Sequence, residues 1–175
     1  GIVSLQGLSK VNALTTQVAT IEVPGILASQ AIATTLQTLT RLEKNIILET
    51  DATNIQAYLA ELQKLYPVLE NNLSAIDDFF YAQRGKDMIQ SIRGHARDWL
   101  VAHKQAVAIG ATTDAHPENM SEARAISTGL AREKLQILET ELAELTSYKV
   151  QYANDVSHAA EESFLTVRLA ILVVA

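Results

Sequence analysis

The sequence predicts an all-α protein, an antiparallel up-down-up-down four-helix bundle with two long and two shorter helices. Three observations predict it. Of 175 residues 48% are hydrophobic, yet 5% are aromatic, only seven are Gly and three are Pro; such material favours helices over strands and turns. Apolar residues recur in steps of three and four almost without interruption, which places them on one stripe of a helix. Turn-forming residues cluster at only a few points, so the elements between them are long.

The first helix carries the stripe Ala28, Ile32, Thr35, Leu39, Leu42 and Ile46, which continues upstream of Pro24-Gly25 through Val18, Val11, Leu8 and Leu5. Thr50-Asp51 breaks it and supplies the next N-cap. The second stripe is the clearest: Ile55, Leu59, Leu62, Tyr66, Leu69, Leu73, Ile76 and Phe80 form a heptad seam over 52–81. Pro67 lies within it and predicts a kink or local defect rather than an end. A Gly-containing turn is expected at 83–86. The third stripe is Ile89, Ile92, Ala96, Trp99, His103, Ala106 and Gly110, with Trp99 expected in the core. A loop is expected at 111–118. The fourth stripe then runs through Leu135, Leu138, Leu142, Leu145, Tyr152, Val156 and Ala159. Helices one and four reach about 45–50 residues, roughly 70 Å, and helices two and three about 25–30, roughly 40 Å. Short turns make neighbours antiparallel, so both chain ends project from one pole and the 50–52 and 111–118 turns occupy the other.

Several kinds of chemistry find no support. No cysteine is present, which removes disulfides, thiolate metal sites and a Cys nucleophile. The net charge of −6 offers no basic face for nucleic acid. His95, His103, His116 and His158 never stand four apart and no Glu-x-x-His occurs, so a di-iron bundle site is disfavoured. There is no Gly-rich phosphate loop and no nucleophile motif. Asp77-Asp78 and Glu161-Glu162 read as solvated pairs. No catalytic residue, metal or cofactor is expected.

The stripes turn polar toward the pole that holds the turns. Extended upward from Leu135, the fourth passes Ala131, Thr128 and Arg124; the third reaches His103 and the first Thr35. Arg124, Tyr58, Lys104, His103, Arg41 and Thr128 fall roughly 10–16 Å below that pole, and Thr35, Arg97 and Arg132 roughly 20–22 Å below it. A cationic cluster needs an anion, and an arginine fork matches a carboxylate bidentately. The expected ligand set is therefore Arg41, Thr128, Arg132, Arg124, Thr35, Tyr58, Arg97 and His103. Each has a plainer reading beside it: Arg41 and Arg132 flank the seam and can extend into solvent, Arg97 can pair with neighbouring Asp98, and His103 can be a hydrogen-bonded core residue. At the other pole the chain closes with seven apolar residues, 169–175, behind Arg168. That is too short for a bilayer, which needs about 20, and reads as the truncated start of a second transmembrane helix; Gly1-Ile2-Val3 reads as the last turn of a first one. Residues 1–168 are then the bundle.

This layout resembles the periplasmic four-helix-bundle ligand-binding domain of bacterial methyl-accepting chemotaxis receptors. The stretches that carry the resemblance are Thr20-Ile21-Glu22-Val23-Pro24 in helix one, Asp98-Trp99-Leu100-Val101-Ala102-His103 in helix three and Met120-Ser121-Glu122-Ala123-Arg124 opening helix four, and it covers essentially the whole chain. The resemblance implies a homodimer formed mainly through helix one, anchored in the inner membrane by flanking transmembrane helices. It also implies a small attractant bound in the half far from the membrane, and transmission by a small shift of helix four. With the Arg/Thr cluster, the expected partner is a small organic anion, a di- or tricarboxylate such as malate or citrate. Two alternatives stand beside this. The same module occurs on histidine kinases, and a helical protein-interaction scaffold would have no interior pocket and would leave Arg41, Arg124 and Arg132 all exposed.

Overall fold

The computed structural model describes residues 2–112 and 117–174, with side chains described for 5–112 and 120–169. In chain order it contains α1 (Ile2–Gln17), a π-helical turn (Val18–Glu22), α2 (Val23–Leu48), α3 (Ala52–Ala75), a 3-10 turn (Ile76–Phe79), α4 (Gln83–Gly110), α5 (Pro117–Thr128) and α6 (Leu130–Val174). No strand occurs among the described residues. The segments α1, π turn and α2 follow one another without a break and make helix one. α5 and α6 are separated by Gly129 alone and make helix four. The result is the expected all-α four-helix bundle.

Local chemistry explains the joints. Pro24 has no amide hydrogen to give the carbonyl four residues back. The chain absorbs the defect just upstream as a π turn, where the Val23 amide bonds to the Val18 carbonyl; the rod continues instead of breaking. Pro67 also sits inside an unbroken helix, α3. Pro67 and Gln63, whose carbonyl loses its partner, are both exposed, so water satisfies that oxygen. At the α2–α3 turn the Glu49 carboxylate accepts from the Thr50 and Asp51 amides at 2.8 and 3.0 Å. Asp51 then caps α3 by accepting from Thr53 at 2.7 Å and Asn54 at 3.4 Å. Hydrogen bonds from these backbone amides hold both carboxyls below their ordinary values.

Three expectations are corrected. The turn between α3 and α4 lies at 80–82, not 83–86: Gln83 already opens α4 behind an extended Ala82. Gly85, expected in a turn, is buried in that helix against the Phe80 ring. Tyr152 does not hold the seam of helix four and is exposed, while Lys149 one turn earlier is buried. The upper end of that seam steps back by fours through Ala131, Ser127 and Ala123, all buried, whereas Thr128 and Arg124 are one residue off it and exposed. Of the loop expected at 111–118, residues 113–116 lie outside the described ones.

The core runs the height of the short helices. Ile32, Leu39 and Ile46 from α2, Leu62 and Leu69 from α3, Ile92, Ala96 and Trp99 from α4, and Leu135, Leu138 and Leu145 from α6 are each at most 2% exposed. Burying each leucine-sized side chain contributes about 1.5–3 kcal/mol. α2 packs on α3, α4 and α6, while α1 packs on α6. A four-helix body therefore continues into a two-helix stalk. Among the described residues no helix is long and apolar enough to cross a membrane; the apolar run 169–175 lies almost wholly beyond the described side chains.

Candidate functional site

Near the α2–α3 turn a groove of about 250 Å³ opens between the end of α2 and α5, lined by Lys44, Ile47, Leu48, Arg124, Ser127 and Thr128. Its walls are apolar, Ile47 and Leu48, and two cations, Lys44 and Arg124, stand at it. The Thr128 hydroxyl donates to the Arg124 carbonyl at 2.8 Å and keeps its lone pairs free to accept.

A buried polar chain begins beneath the groove. The Ser127 hydroxyl donates to the Glu43 carboxylate. The other oxygen of Glu43 lies 2.5 Å from His103 Nδ1, with both side chains essentially inaccessible. His103 Nε2 meets the Tyr66 hydroxyl at 3.1 Å. Trp99 stacks on the imidazole with ring centroids 4.7 Å apart and planes at 23°, and the Lys104 ammonium sits 4.7 Å from the centre of the Tyr66 ring. Burial, then the Glu43 charge, pushes the Tyr66 phenol up to about 12, so it stays protonated at any working pH.

The expected ligand residues separate into groups. Arg124 and Thr128 line the groove. Arg41 is exposed on α2 three residues before Lys44, hence on the same side of the helix one turn lower. Arg132 is exposed on α6 and lies 3.7 Å from Glu139. Arg97 is exposed and turns its Nε back to the Arg93 carbonyl at 3.2 Å. Tyr58 is half-buried and packs against the core. Thr35 is buried, its hydroxyl given to the Ala31 carbonyl at 2.8 Å. His103 belongs to the internal chain. Glu43, Ser127 and Tyr66 are site residues that the sequence pattern does not single out. The signal for them is a polar group on an apolar stripe: His103 in one seam and Tyr66 in another, at matching heights, call for partners.

A second buried charged cluster lies where the body narrows to the stalk. Lys149 Nζ approaches Glu22 Oε2 at 2.7 Å and donates to the Phe79 carbonyl. Gln17 donates to the other Glu22 oxygen at 3.0 Å. Lys149 also lies 4.6 Å from the centre of the Phe80 ring. A larger open groove between α4 and α6 carries Arg84 against two carboxylates, Glu139 and Glu144, and that balance does not suit an anion. Among the described residues no cluster of His, Asp and Glu could hold a metal ion.

A family model described as a four helix bundle sensory module for signal transduction matches residues 1–164. The chain belongs to that family. No curated protein matches it significantly. The chain is thus the sensor domain of a receptor, built to report on a signal. Within it, the α2–α5 groove has an apolar surface bordered by Lys44 and Arg124.

Proposed function

We propose that this sensory module is the extracytoplasmic, periplasmic domain of a chemotaxis receptor in a bacterial inner membrane, and that it binds a small organic acid in the α2–α5 groove. The observation that carries the ligand class is that Lys44 and Arg124 both border one groove of about 250 Å³, beside Ser127 and Thr128 and with an apolar surface. Carboxylates of a di- or tricarboxylate meet the two cations, and Ile47 and Leu48 cover the carbon skeleton. A ligand hydroxyl, as in malate or citrate, donates to the free lone pairs of Ser127 or Thr128. Binding shifts the signalling equilibrium by the difference in its affinity for the two states. Arg41 and Arg132 extend the positive surface toward the stalk. In a homodimer paired through helix one, the second copy closes the open side of the groove.

The scaffold reading is favoured by one observation, the exposure of Arg41, Arg124 and Arg132. The groove between two of its cations favours the sensor reading. Calorimetry and thermal shift with L-malate and citrate separate the two. Each charge-assisted bond contributes about 1.5–3 kcal/mol, so R124A weakens binding about 10- to 150-fold. Absence of stabilisation by any di- or tricarboxylate, with amino acids or aromatic acids binding instead, overturns the ligand class. Binding of no small molecule at all favours the scaffold.

A further inference from the structure

The anion-binding reading leaves the interior beneath the groove without a role, yet that interior is organised. One polar side chain from each rod of the bundle joins a single hydrogen-bonded chain: Ser127 from α5, Glu43 from α2, His103 from α4 and Tyr66 from α3. Burying Ser127, Glu43 and His103 in the core, with Tyr66 half-buried at the end of the chain, costs stability unless every inaccessible donor and acceptor is matched. With a neutral imidazole the matching is complete. Nδ1–H donates to Glu43, the Tyr66 hydroxyl donates to Nε2, and Ser127 donates to the second Glu43 oxygen. Tyr66 stays protonated throughout, and Glu43 is left as a carboxylate with no full positive charge in hydrogen-bonding contact.

A further proton changes that arrangement in two opposite ways. Placed on Nε2, it converts the Glu43–His103 contact into a full ion pair and strengthens the tie between α2 and α4. It also brings Nε2–H face to face with the Tyr66 O–H. One hydrogen has to turn away, so Tyr66 must find another acceptor, and the tie between α3 and α4 is remade. The titratable and charged groups around His103 are Glu43 from α2, Tyr66 from α3 and Lys104 from its own helix across the Tyr66 ring. Beyond Ser127 stand Lys44 and Arg124 at the groove. Among the described residues no charged side chain of α6 hydrogen bonds or pairs with any member of the chain.

We propose that His103 is a proton-binding site and that, through the Ser127–Glu43–His103–Tyr66 chain, this sensor takes acidification as a second input alongside its small-molecule ligand. Imidazole is the side chain whose charge ordinarily changes between about pH 5 and 8. The chain delivers that single charge to all four rods at once, and at Ser127 it reaches the floor of the groove. Proton sensing needs no occupant in the groove, so it stands or falls separately from the organic-acid reading.

The molecule carries its own reporter. Trp99 is the only tryptophan and stacks on His103, and an imidazolium stacked on an indole quenches its fluorescence. In the unliganded protein, fluorescence is expected to fall through one single-proton step on acidification between about pH 8 and 5. The step is absent in H103Q, whose amide can still bond to Glu43 or Tyr66, with circular dichroism confirming the fold. It moves to lower pH in E43Q, which loses the carboxylate that stabilises the imidazolium. Amide exchange in α3 around Tyr66, corrected for its intrinsic pH dependence, is expected to be faster on the acid side of the step in the wild type and unchanged in H103Q. Flat wild-type fluorescence, a step that survives H103Q or stays in place in E43Q, or a step with no matching change in α3 exchange overturns the proposal. Should H103Q fail to fold, nitrogen NMR of the His103 ring in the unaltered protein decides the same question: a ring that keeps one protonation state over that range overturns the proposal, and one that gains a proton supports it.

Discussion

Lys149 is the side chain on which two parts of the molecule meet. It comes from α6, pairs with Glu22 at the end of the π turn and donates to the Phe79 carbonyl at the end of the 3-10 turn. Only 4% of it is exposed and none of Glu22 is. Removing one partner of a buried pair leaves the other charge desolvated and unmatched, which costs about 3–5 kcal/mol. K149M is therefore expected to lose about that much in urea unfolding, and the double variant E22L/K149M to regain most of it, since two apolar groups leave no orphaned charge. A K149M loss below about 1 kcal/mol would show that the pair is already hydrated. Neither residue was legible as buried. A glutamate and a lysine 127 positions apart (149 − 22) read as ordinary surface charges, and only tertiary packing brings them together. Glu43 was hidden in the same way, one step off the Leu39–Leu42–Ile46 stripe. His103 was legible as a polar residue on an apolar stripe, but its partner could not be named from periodicity.

At the scale of single elements, the stripes were legible because nothing in them competes with the helical period. Even Pro24 and Pro67 were legible as interruptions that the rods survive. The errors fall where periodicity is silent. Gly85 reads as a turn because glycine usually punctuates, yet here it makes room for the Phe80 ring inside α4. On helix four, steps of three and four from Leu135 were both open. The chain takes fours through Ala131 and Ser127, so Thr128 and Arg124 face out to the groove. The α2–α3 turn, legible from Thr50-Asp51, carries its own prediction. Glu49 and Asp51 have folded-state carboxyls held below the ordinary values of 4.5 and 3.8. A lowered folded value means the contribution is present above the ordinary value and is lost as pH falls through the folded one. The amides of Thr53 and Asn54 are thus expected to lose protection, relative to mid-α3, on acidification below about pH 4. In D51A the same amides exchange fast at every pH. Unchanged wild-type protection at pH 3 would show that the cap does not depend on charge.

Over the whole molecule, packing is graded along the long axis, and the grade has a defined boundary. Above Lys149 four rods share one core; below it α1 and α6 pair alone, and past Lys149 the only buried side chains of α6 among the described residues are Val156 and Val167. Leu5, Leu8, Phe164 and Leu165 are all exposed there. Local opening free energy follows buried apolar contact. Amides of α6 between Leu135 and Leu145 are therefore expected to exchange only by global unfolding, and those beyond Val150 by local separation of the stalk. Gly25 controls the boundary between the two. A Cβ there would lie 2.5 Å from Lys149 Cε and 3.1 Å from Phe79 Cβ. Lys149 cannot easily give way, because Glu22 and the Phe79 carbonyl hold its other end. G25A is expected to cost about 1–3 kcal/mol, and to raise exchange in the π turn and around Lys149 more than that global loss explains. Any signal that passes from the groove to the stalk crosses this joint, so the same variant should weaken the response of stalk amides to a bound ligand while leaving the groove's affinity nearly unchanged. Hydrogen-exchange mass spectrometry on the wild type and G25A, with and without L-malate, reads both effects. Uniform protection from Leu135 to Phe164 in the wild type would mean that body and stalk unfold as one unit, with no joint between them for a signal to cross.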